Sequence, residues 1–253
     1  MARETDSGTS RRRSGRKGER YCEDLSFAAK EAFKRLRTNM IMSFPQEDTS
    51  CRLVGITSAQ PSDGKSTVAI NLAYSIAELD KRVLLVDADM RRSSIHEKAG
   101  VNKTPGLSEL LNNTDSISEC LQKYTDKKGQ FSFDIIPGGS AAQNPSELLN
   151  SARMTALLRK LEEAYDYVVI DLPPVGAVVD AVAVSSVLDG MLVVIRENTC
   201  PRGLLAECMS QLSYANVNII GFVVNGALEG SGKKYQYGSY SKGYYGSYYD
   251  SYY

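Results

Sequence analysis

The 253-residue chain is long enough for one sizeable α/β domain with tails, and its 30 basic side chains are balanced by 30 acidic ones. Zero net charge gives no electrostatic reason for binding nucleic acid, and no nucleic-acid partner is expected. Cys22, Cys51, Cys120, Cys200 and Cys208 are odd in number and form no Cys-x-x-Cys pair, which argues against a disulfide framework or a zinc site and suits reduced thiols.

No apolar run approaches the ~20 residues of a membrane helix, and the first residues show no signal-peptide pattern. Residues 1–20 hold seven Lys/Arg against three acids and no large apolar residue after Met1. Such a segment buries too little surface to offset its ordering entropy, so disorder is expected. Its Arg11-Arg12-Arg13 run either touches an anionic membrane or acidic partner, or is simply solvated. Residues 24–43 place Leu25, Phe27, Ala28, Ala32, Phe33, Leu36, Met40 and Ile41 near a helical period. This predicted helix precedes the first core strand and is an appendage. Glu31 and Lys34 on its polar face form either an i,i+3 pair on a wet surface or part of an oligomer contact.

The apolar run 53–56 leads into Ser58-Ala59-Gln60-Pro61-Ser62-Asp63-Gly64-Lys65-Ser66-Thr67, and a helical pattern follows over 68–77. Strand, tight loop and helix start, in that order, make a phosphate-binding loop: backbone N–H groups converge on the anion and the positive end of the helix dipole faces it. Gly64 permits close backbone approach, Lys65 can reach the β/γ-phosphates, and the Ser66 hydroxyl can hold Mg²⁺. Ala59 stands where the motif usually begins with Gly.

Residues 83–86 form a short β-like run ending in Asp87-Ala88-Asp89-Met90-Arg91, followed by a basic and polar loop over 92–96. The lone His96 has no partner for metal or triad chemistry and reads as an ordinary surface or loop residue. Helix-like stretches cover 106–112 and 117–124, a strand is predicted over 131–137, and 138–145 is a loop opening a helical turn at 146–149. An amphipathic helix over 152–164 leads into the strand 167–170, which ends in Asp171-Leu172-Pro173-Pro174. Residues 175–188 read as a buried helix, 191–195 and 219–224 as strands, and 203–215 as the helix between them. Asn225 either reads the adenine edge or is a turn residue. From 230 the chain changes character: residues 235–253 hold nine tyrosines among Gly, Ser, Gln, Lys and Asp, with no aliphatic side chain. Disorder is the default there, with self-association or exposed phosphoacceptors as the other readings.

Strands alternating with helices imply a mostly parallel sheet covered on both faces. In such a sheet the C-terminal strand ends line one crevice, so Asp87, Asp89 and Asp171 sit beside the phosphate loop. One Asp at a strand end is commonly a cap. Three on two apolar strands after a phosphate loop point to a nucleotide·Mg²⁺ site, since Mg²⁺ needs only one or two carboxylates besides waters and phosphates.

The phosphate loop, the Asp87-x-Asp89-x-Arg91 and Asp171 strand ends, Asn144-Pro-Ser-Glu-Leu-Leu149, Pro173-Pro-Val175 with Asp180-Ala181, and the tyrosine cluster together resemble the bacterial protein-tyrosine kinases, in their cytoplasmic kinase domain. The resemblance runs from about residue 24 to the end. It implies a P-loop NTPase-type fold over 21–229, between the basic segment 1–20 and a flexible tyrosine-rich tail, 230–253. It also implies ATP and Mg²⁺ as cofactors, autophosphorylation between subunits, and control of capsular or exopolysaccharide export. The implied acceptors are Tyr235, Tyr237, Tyr240, Tyr244, Tyr245, Tyr248, Tyr249, Tyr252 and Tyr253. The implied partners are other copies of the chain in a homo-oligomer such as a ring, a membrane-embedded adaptor on a separate polypeptide that recruits a cytoplasmic kinase to the inner membrane face, and a cognate tyrosine phosphatase.

Read together with that resemblance, the candidate nucleotide-binding residues are Gln60, Pro61, Ser62, Asp63, Gly64, Lys65, Ser66 and Thr67, with Asn225 on the adenine-edge reading. Lys65 serves the β/γ-phosphates, Ser66 ligates Mg²⁺, and Asp89 and Asp171 hold the metal through waters. Asp87 accepts the phenol proton, although Asp87 and Asp89 can exchange roles, and Arg91 completes the catalytic set. The family's Glu-x-x-Arg-x-x-Arg oligomer motif falls on Glu31, Lys34 and Arg37; lysine keeps the charge but loses the bidentate fork. Ser62, where Gly is frequent, and Ser93, where Pro often follows the two arginines, are further departures. The partitioning and cell-division ATPases share this core but carry a second lysine where Gln60 stands; a nucleotide-sensing scaffold is the non-enzymatic alternative.

Overall fold

The computed structural model describes residues 21–45, 50–112, 114–175 and 184–226. The expectations for residues 1–20, Asp180-Ala181 and the tyrosines of 235–253 lie outside these. Among the described residues, seven strands make one sheet in the order β3-β4-β2-β5-β1-β6-β7. They are β1 (Arg52–Ser58), β2 (Val83–Asp87), β3 (Gln122–Thr125), β4 (Ser132–Ile136), β5 (Tyr167–Asp171), β6 (Gly190–Arg196) and β7 (Ile219–Asn225). All pairings are parallel except β3 with β4. The central strands are apolar without alternation because both faces are covered: every residue of β1 and β2 is buried.

One face is packed by α1 (Phe27–Met42), α2 (Lys65–Ala77) and α3 (Ile95–Ala99), which bury Met40, Ile70, Ile76 and Ile95 with Val54, Leu85 and Val169. The other holds α4 (Leu107–Asn112), α6 (Pro145–Leu149), α7 (Ala152–Glu162) and α8 (Arg202–Tyr214), whose Leu107, Leu149, Leu158 and Leu212 meet Leu84, Val168 and Val193. Adjacent Val168 and Val169 serve opposite faces, as the strand period of two requires. The α1 helix starts where the Ser26 hydroxyl accepts the Ala29 N–H at 3.3 Å, a side-chain N-cap worth ~1 kcal/mol. No helix among the described residues is long and apolar enough to cross a membrane.

Four expectations need correction. The stretch 117–124 is not one helix: α5 (Ile117–Cys120) ends after a single turn, and 122–125 becomes β3. Tyr124 lies opposite Phe133 across the β3–β4 pair, their rings stacked 5.0 Å apart, so pairing and burial override the helical reading. Loop 92–96 ends early, with Ile95 and His96 already in α3. In the stretch 175–188, Ser185–Val187 is a 3₁₀ turn rather than α-helix, and 176–183 lie outside the described residues. Phe27, assigned to the apolar stripe, is 78% exposed at the helix start.

Candidate active site

The loop after β1 is folded by its own polar groups. Ser58 donates to the Gln60 carbonyl at 2.7 Å, and the Gln60 side-chain amide donates to Asp63 Oδ1 at 3.0 Å. Gly64 turns the chain into α2 with φ 98°, and a Cβ there would lie 1.9 Å from the Asn225 amide nitrogen. That nitrogen donates to the Asp63 carbonyl at 2.9 Å, so the end of β7 clamps the loop. A second clamp comes from β6, where Arg196 donates to the Ser62 carbonyl at 3.2 Å. Ser62 itself sits at φ 69°, the left-handed region that Gly adopts without penalty. The sequence showed neither clamp, because 134 and 162 residues separate the partners. Asn225 thus supports the loop, beyond the two roles its sequence position suggested.

The sheet order sets β5 between β1 and β2, which places Asp171 in register with Ile56 on one side and with Asp87 on the other. Neighbouring strands run about 4.8 Å apart, so two carboxylates share one crevice floor beside the loop. Asp87 and Asp171 are fully buried and Asp89 is nearly so. Lys65, 7% exposed, holds its ammonium 3.7 Å from Asp89 Oδ2: an electrostatic contact too long for a hydrogen bond. Asp89 Oδ1 accepts the Arg92 N–H at 3.1 Å.

The two buried carboxylates differ in their surroundings. Asp87 Oδ2 accepts from the Ser93 hydroxyl at 2.8 Å and from the backbone N–H groups of Ser94 and Ile95, each at 3.1 Å, while Oδ1 has no partner. Burial pushes the Asp87 carboxyl up, against those hydrogen bonds and with help from the Asp89 charge. Neither oxygen of Asp171 has a partner. Burial pushes Asp171 up more strongly; Lys65 and the nearby Ser66 hydroxyl oppose this, and the Asp87 and Asp89 charges add to it.

The two orphaned oxygens of Asp171, at the foot of a phosphate loop, fit a cation. Among the described residues no three acidic, Cys or His side chains gather tightly enough to cage an ion alone. That donor set suits Mg²⁺, which takes few protein ligands, and Ser66, Asp89 and Asp171 are the residues of this chain that would hold it.

The remaining site residues divide. Pro61 and Thr67 flank the loop and the first turn of α2, where the Asn71 side chain donates to the Thr67 carbonyl at 2.8 Å. Arg91 is exposed and donates to Ser146 on α6 at 3.2 Å, which ties the Asp-x-Asp-x-Arg strand end to the Asn-Pro-Ser-Glu turn. On α1, Glu31 and Lys34 pair at 2.8 Å, whereas Arg37 turns inward to the Ser75 carbonyl and lies 3.7 Å from Glu78. His96 is not a plain surface residue: its side chain is 14% exposed and its Nδ1 is 3.3 Å from the Ser93 hydroxyl. A cavity of about 520 Å³ lies off to the β4 side, walled by Ser108, Glu109, Ser140 and Glu147. Burial pushes the Glu109 carboxyl up, but donors on Ser140, Gly106 and Ser108 outweigh it and hold the group down at about 2.

A family model described as an AAA domain matches residues 52–214. The chain is 34% identical over 207 residues to the tyrosine-protein kinase YwqD of Bacillus subtilis, covering 82% of this chain and 85% of that protein. It is 36% identical over 210 residues to the tyrosine-protein kinase etk of Escherichia coli K12, where it spans only 28% of the relative's length. The solved kinase domain of Escherichia coli ETK superposes with a TM-score of 0.74 at 36% identity, over 83% of this chain and 80% of that one.

Proposed function

Because the chain belongs to the bacterial tyrosine-protein kinases, we propose that it transfers the γ-phosphate of ATP to tyrosine, using Mg²⁺. The observation that carries this reading is the juxtaposition of a buried Lys65, Asp89 3.7 Å from it, and the in-register pair Asp87 and Asp171 with unpartnered oxygens. Phosphoryl transfer needs positioning and charge neutralisation more than covalent chemistry, and these groups supply both.

Lys65 and the first N–H groups of α2 bind the β/γ-phosphates. Its long contact with Asp89 leaves the ammonium free to move to a phosphate oxygen. Ser66, Asp89 and Asp171 hold the cation, whose contribution when bound is to neutralise charge on the transferring phosphoryl group. Asp87, whose buried Oδ1 has no hydrogen-bond partner, is the acceptor of the phenol proton in this reading. A free tyrosine has a pKa of about 10, so a base whose own pKa is raised by burial suits proton acceptance better than an ordinary surface carboxylate. Asp89, paired with Lys65, is the alternative base. Arg91 joins the crevice rim to α6.

The acceptors are the nine tyrosines of the 230–253 segment, modified between subunits of a homo-oligomer that uses the α1 face of Glu31, Lys34 and Arg37. A membrane-embedded adaptor brings the kinase to the inner face of the cell membrane, a tyrosine phosphatase resets it, and the output is capsular or exopolysaccharide export. The test is incubation with ATP·Mg²⁺ followed by anti-phosphotyrosine detection, with Lys65→Met as the control. Labelling of the wild type alone supports the kinase. ATP hydrolysis without phosphotyrosine would favour a switch ATPase, and nucleotide binding with neither would leave a scaffold.

A further inference from the structure

The sequence contains a single histidine. The structure sets it at the end of a short chain of side chains that terminates on Asp87. Asp87 Oδ2 accepts the Ser93 hydroxyl at 2.8 Å, and the same oxygen of Ser93 is 3.3 Å from His96 Nδ1. A serine hydroxyl has one proton. With that proton spent on a carboxylate, the contact to His96 is a hydrogen bond only if Nδ1 carries the proton and Ser93 accepts it. Which imidazole nitrogen is protonated is set by such partners. Nε2 faces the Glu97 carboxylate only at 4.0 Å, beyond hydrogen-bond reach, so the closer Ser93 contact gives the chain its direction, from His96 Nδ1–H to Ser93 Oγ–H to Asp87 Oδ2.

We propose that Ser93 and His96 are positioning residues that lock the Asp87 carboxylate, leaving its unpartnered Oδ1 for the reaction. This rests on the reading of Asp87 as a participant in phosphoryl transfer. Two independent features support it. The backbone N–H groups of Ser94 and Ile95 fix the same Oδ2 at 3.1 Å, so the Ser93 hydroxyl is the third donor on one oxygen and the plane of the carboxylate is determined. Gly138, in the loop after β4, leaves room for Ser93 in this position: a Cβ at 138 would stand 2.8 Å from both Cβ and Oγ of Ser93 and force that side chain to shift. The chain leaves His96 half-buried and pushed down by burial, so it is neutral at pH 8 and its tautomer is readable.

The lone histidine makes the test direct. In the full-length protein with ¹⁵N-labelled histidine at pH 8, the imidazole spectrum reports one residue. The expected result is a protonated Nδ1 in the wild type, lost in Ser93→Ala. A proton on Nε2 in the wild type, or a spectrum unchanged by Ser93→Ala, overturns the proposal. This arm does not depend on phosphoryl transfer, so failure of the kinase reading and failure of the chain are told apart. In the kinetic arm, Ser93→Ala lowers kcat about tenfold, the usual scale for losing an outer partner of a site group, with KM for ATP unchanged. His96→Leu lowers kcat in the same way, and His96→Asn, whose amide N–H stands near the position of Nδ1, restores it relative to His96→Leu. A kcat in Ser93→Ala equal to wild type overturns the positioning role, as does a loss expressed wholly in KM.

Discussion

Replacing Asp171 with Asn should stabilise the protein without its nucleotide while removing its activity. Asp171 is fully buried and neither carboxylate oxygen has a hydrogen-bond partner. Burial, with the Asp87 and Asp89 charges adding and Lys65 opposing, raises its pKa from an ordinary 3.8 to about 7. A folded-state pKa above the unfolded one means the native state binds the extra proton: the stabilising contribution is complete below pH ~4 and is lost as pH rises to about 7. A difference of one pH unit is worth about 1.4 kcal/mol, so the ionised carboxylate costs on the order of 2–4 kcal/mol at pH 8, shared in part with Asp87. Asparagine removes the charge but leaves an amide in the same pocket, at a cost of roughly 1–3 kcal/mol, so the net gain is about 1 kcal/mol. For a domain of this size that is a rise of about 2–4 °C in Tm. The assay is thermal unfolding of wild type and Asp171→Asn at pH 8 and pH 4, with and without ATP·Mg²⁺. The rise should be present at pH 8, absent at pH 4, and accompanied by loss of the nucleotide-dependent stabilisation. A lower Tm at pH 8 without ligand, or an equal shift at both pH values, would refute the electrostatic account.

Ser62→Gly relieves a left-handed backbone, worth ~1–2 kcal/mol, against ~0.5–1 kcal/mol of added chain entropy, so Tm should rise by roughly 1–3 °C; a fall would show that the loop is not strained at this position. Binding of ATP·Mg²⁺ near pH 6.5 should release protons from Asp87 and Asp171, because a cation restores their charged forms; calorimetry in buffers of different ionisation enthalpy reads this, and proton uptake would contradict it. Replacing Glu31, Lys34 and Arg37 with Ala should yield monomers by light scattering. A Glu31/Lys34 double variant, which spares the contacts of Arg37 to α2, should weaken assembly without lowering Tm, and an unchanged mass in both would make this face a solvated surface.

What the sequence revealed and what it hid follow from the range of the interactions. The phosphate loop is written in consecutive residues, and each acidic strand end follows directly on an apolar run, so loop, strands and crevice were legible together. Strand β3 was not: four residues with one buried side chain, Tyr124, become a strand only because β4 offers an edge and Phe133 a ring to stack on. The short turn before it carries a capping box between Ser116 and Glu119, a true helix start that the local pattern overextended. Arg196 and Asn225 reach the loop from the far ends of β6 and β7, and only the strand order brings them there. The place of His96 is hidden in the sequence because a single histidine carries no spacing signal; its partner Ser93 is three residues away, on the turn of chain that wraps Asp87.

Of the five buried side-chain atoms without a partner among the described residues, four are carboxylate oxygens of Asp63, Asp87 and Asp171. A core built for stability alone would not gather them, since each unsatisfied buried group costs about 1–3 kcal/mol. The fold supports the cost from both sides of the sheet. Asp87 ends a fully buried strand and Asp171 one buried from Val168 onward, so the sheet holds both carboxylates in place, while Asp89 lies 3.7 Å from Lys65. The buried carboxylates Asp87, Asp89 and Asp171 gather where Lys65 holds its ammonium 3.7 Å from Asp89 Oδ2, so acidic groups outnumber this one buried lysine. A triphosphate alone would worsen that imbalance, and a divalent cation alone would lack enough ligands from the chain. These residues would suit phosphate and cation together: Lys65 would neutralise phosphate charge, and Ser66, Asp89 and Asp171 would hold the cation. Buried carboxylates crowded beside one lysine therefore suit a joint ligand, phosphate with its cation, better than either alone.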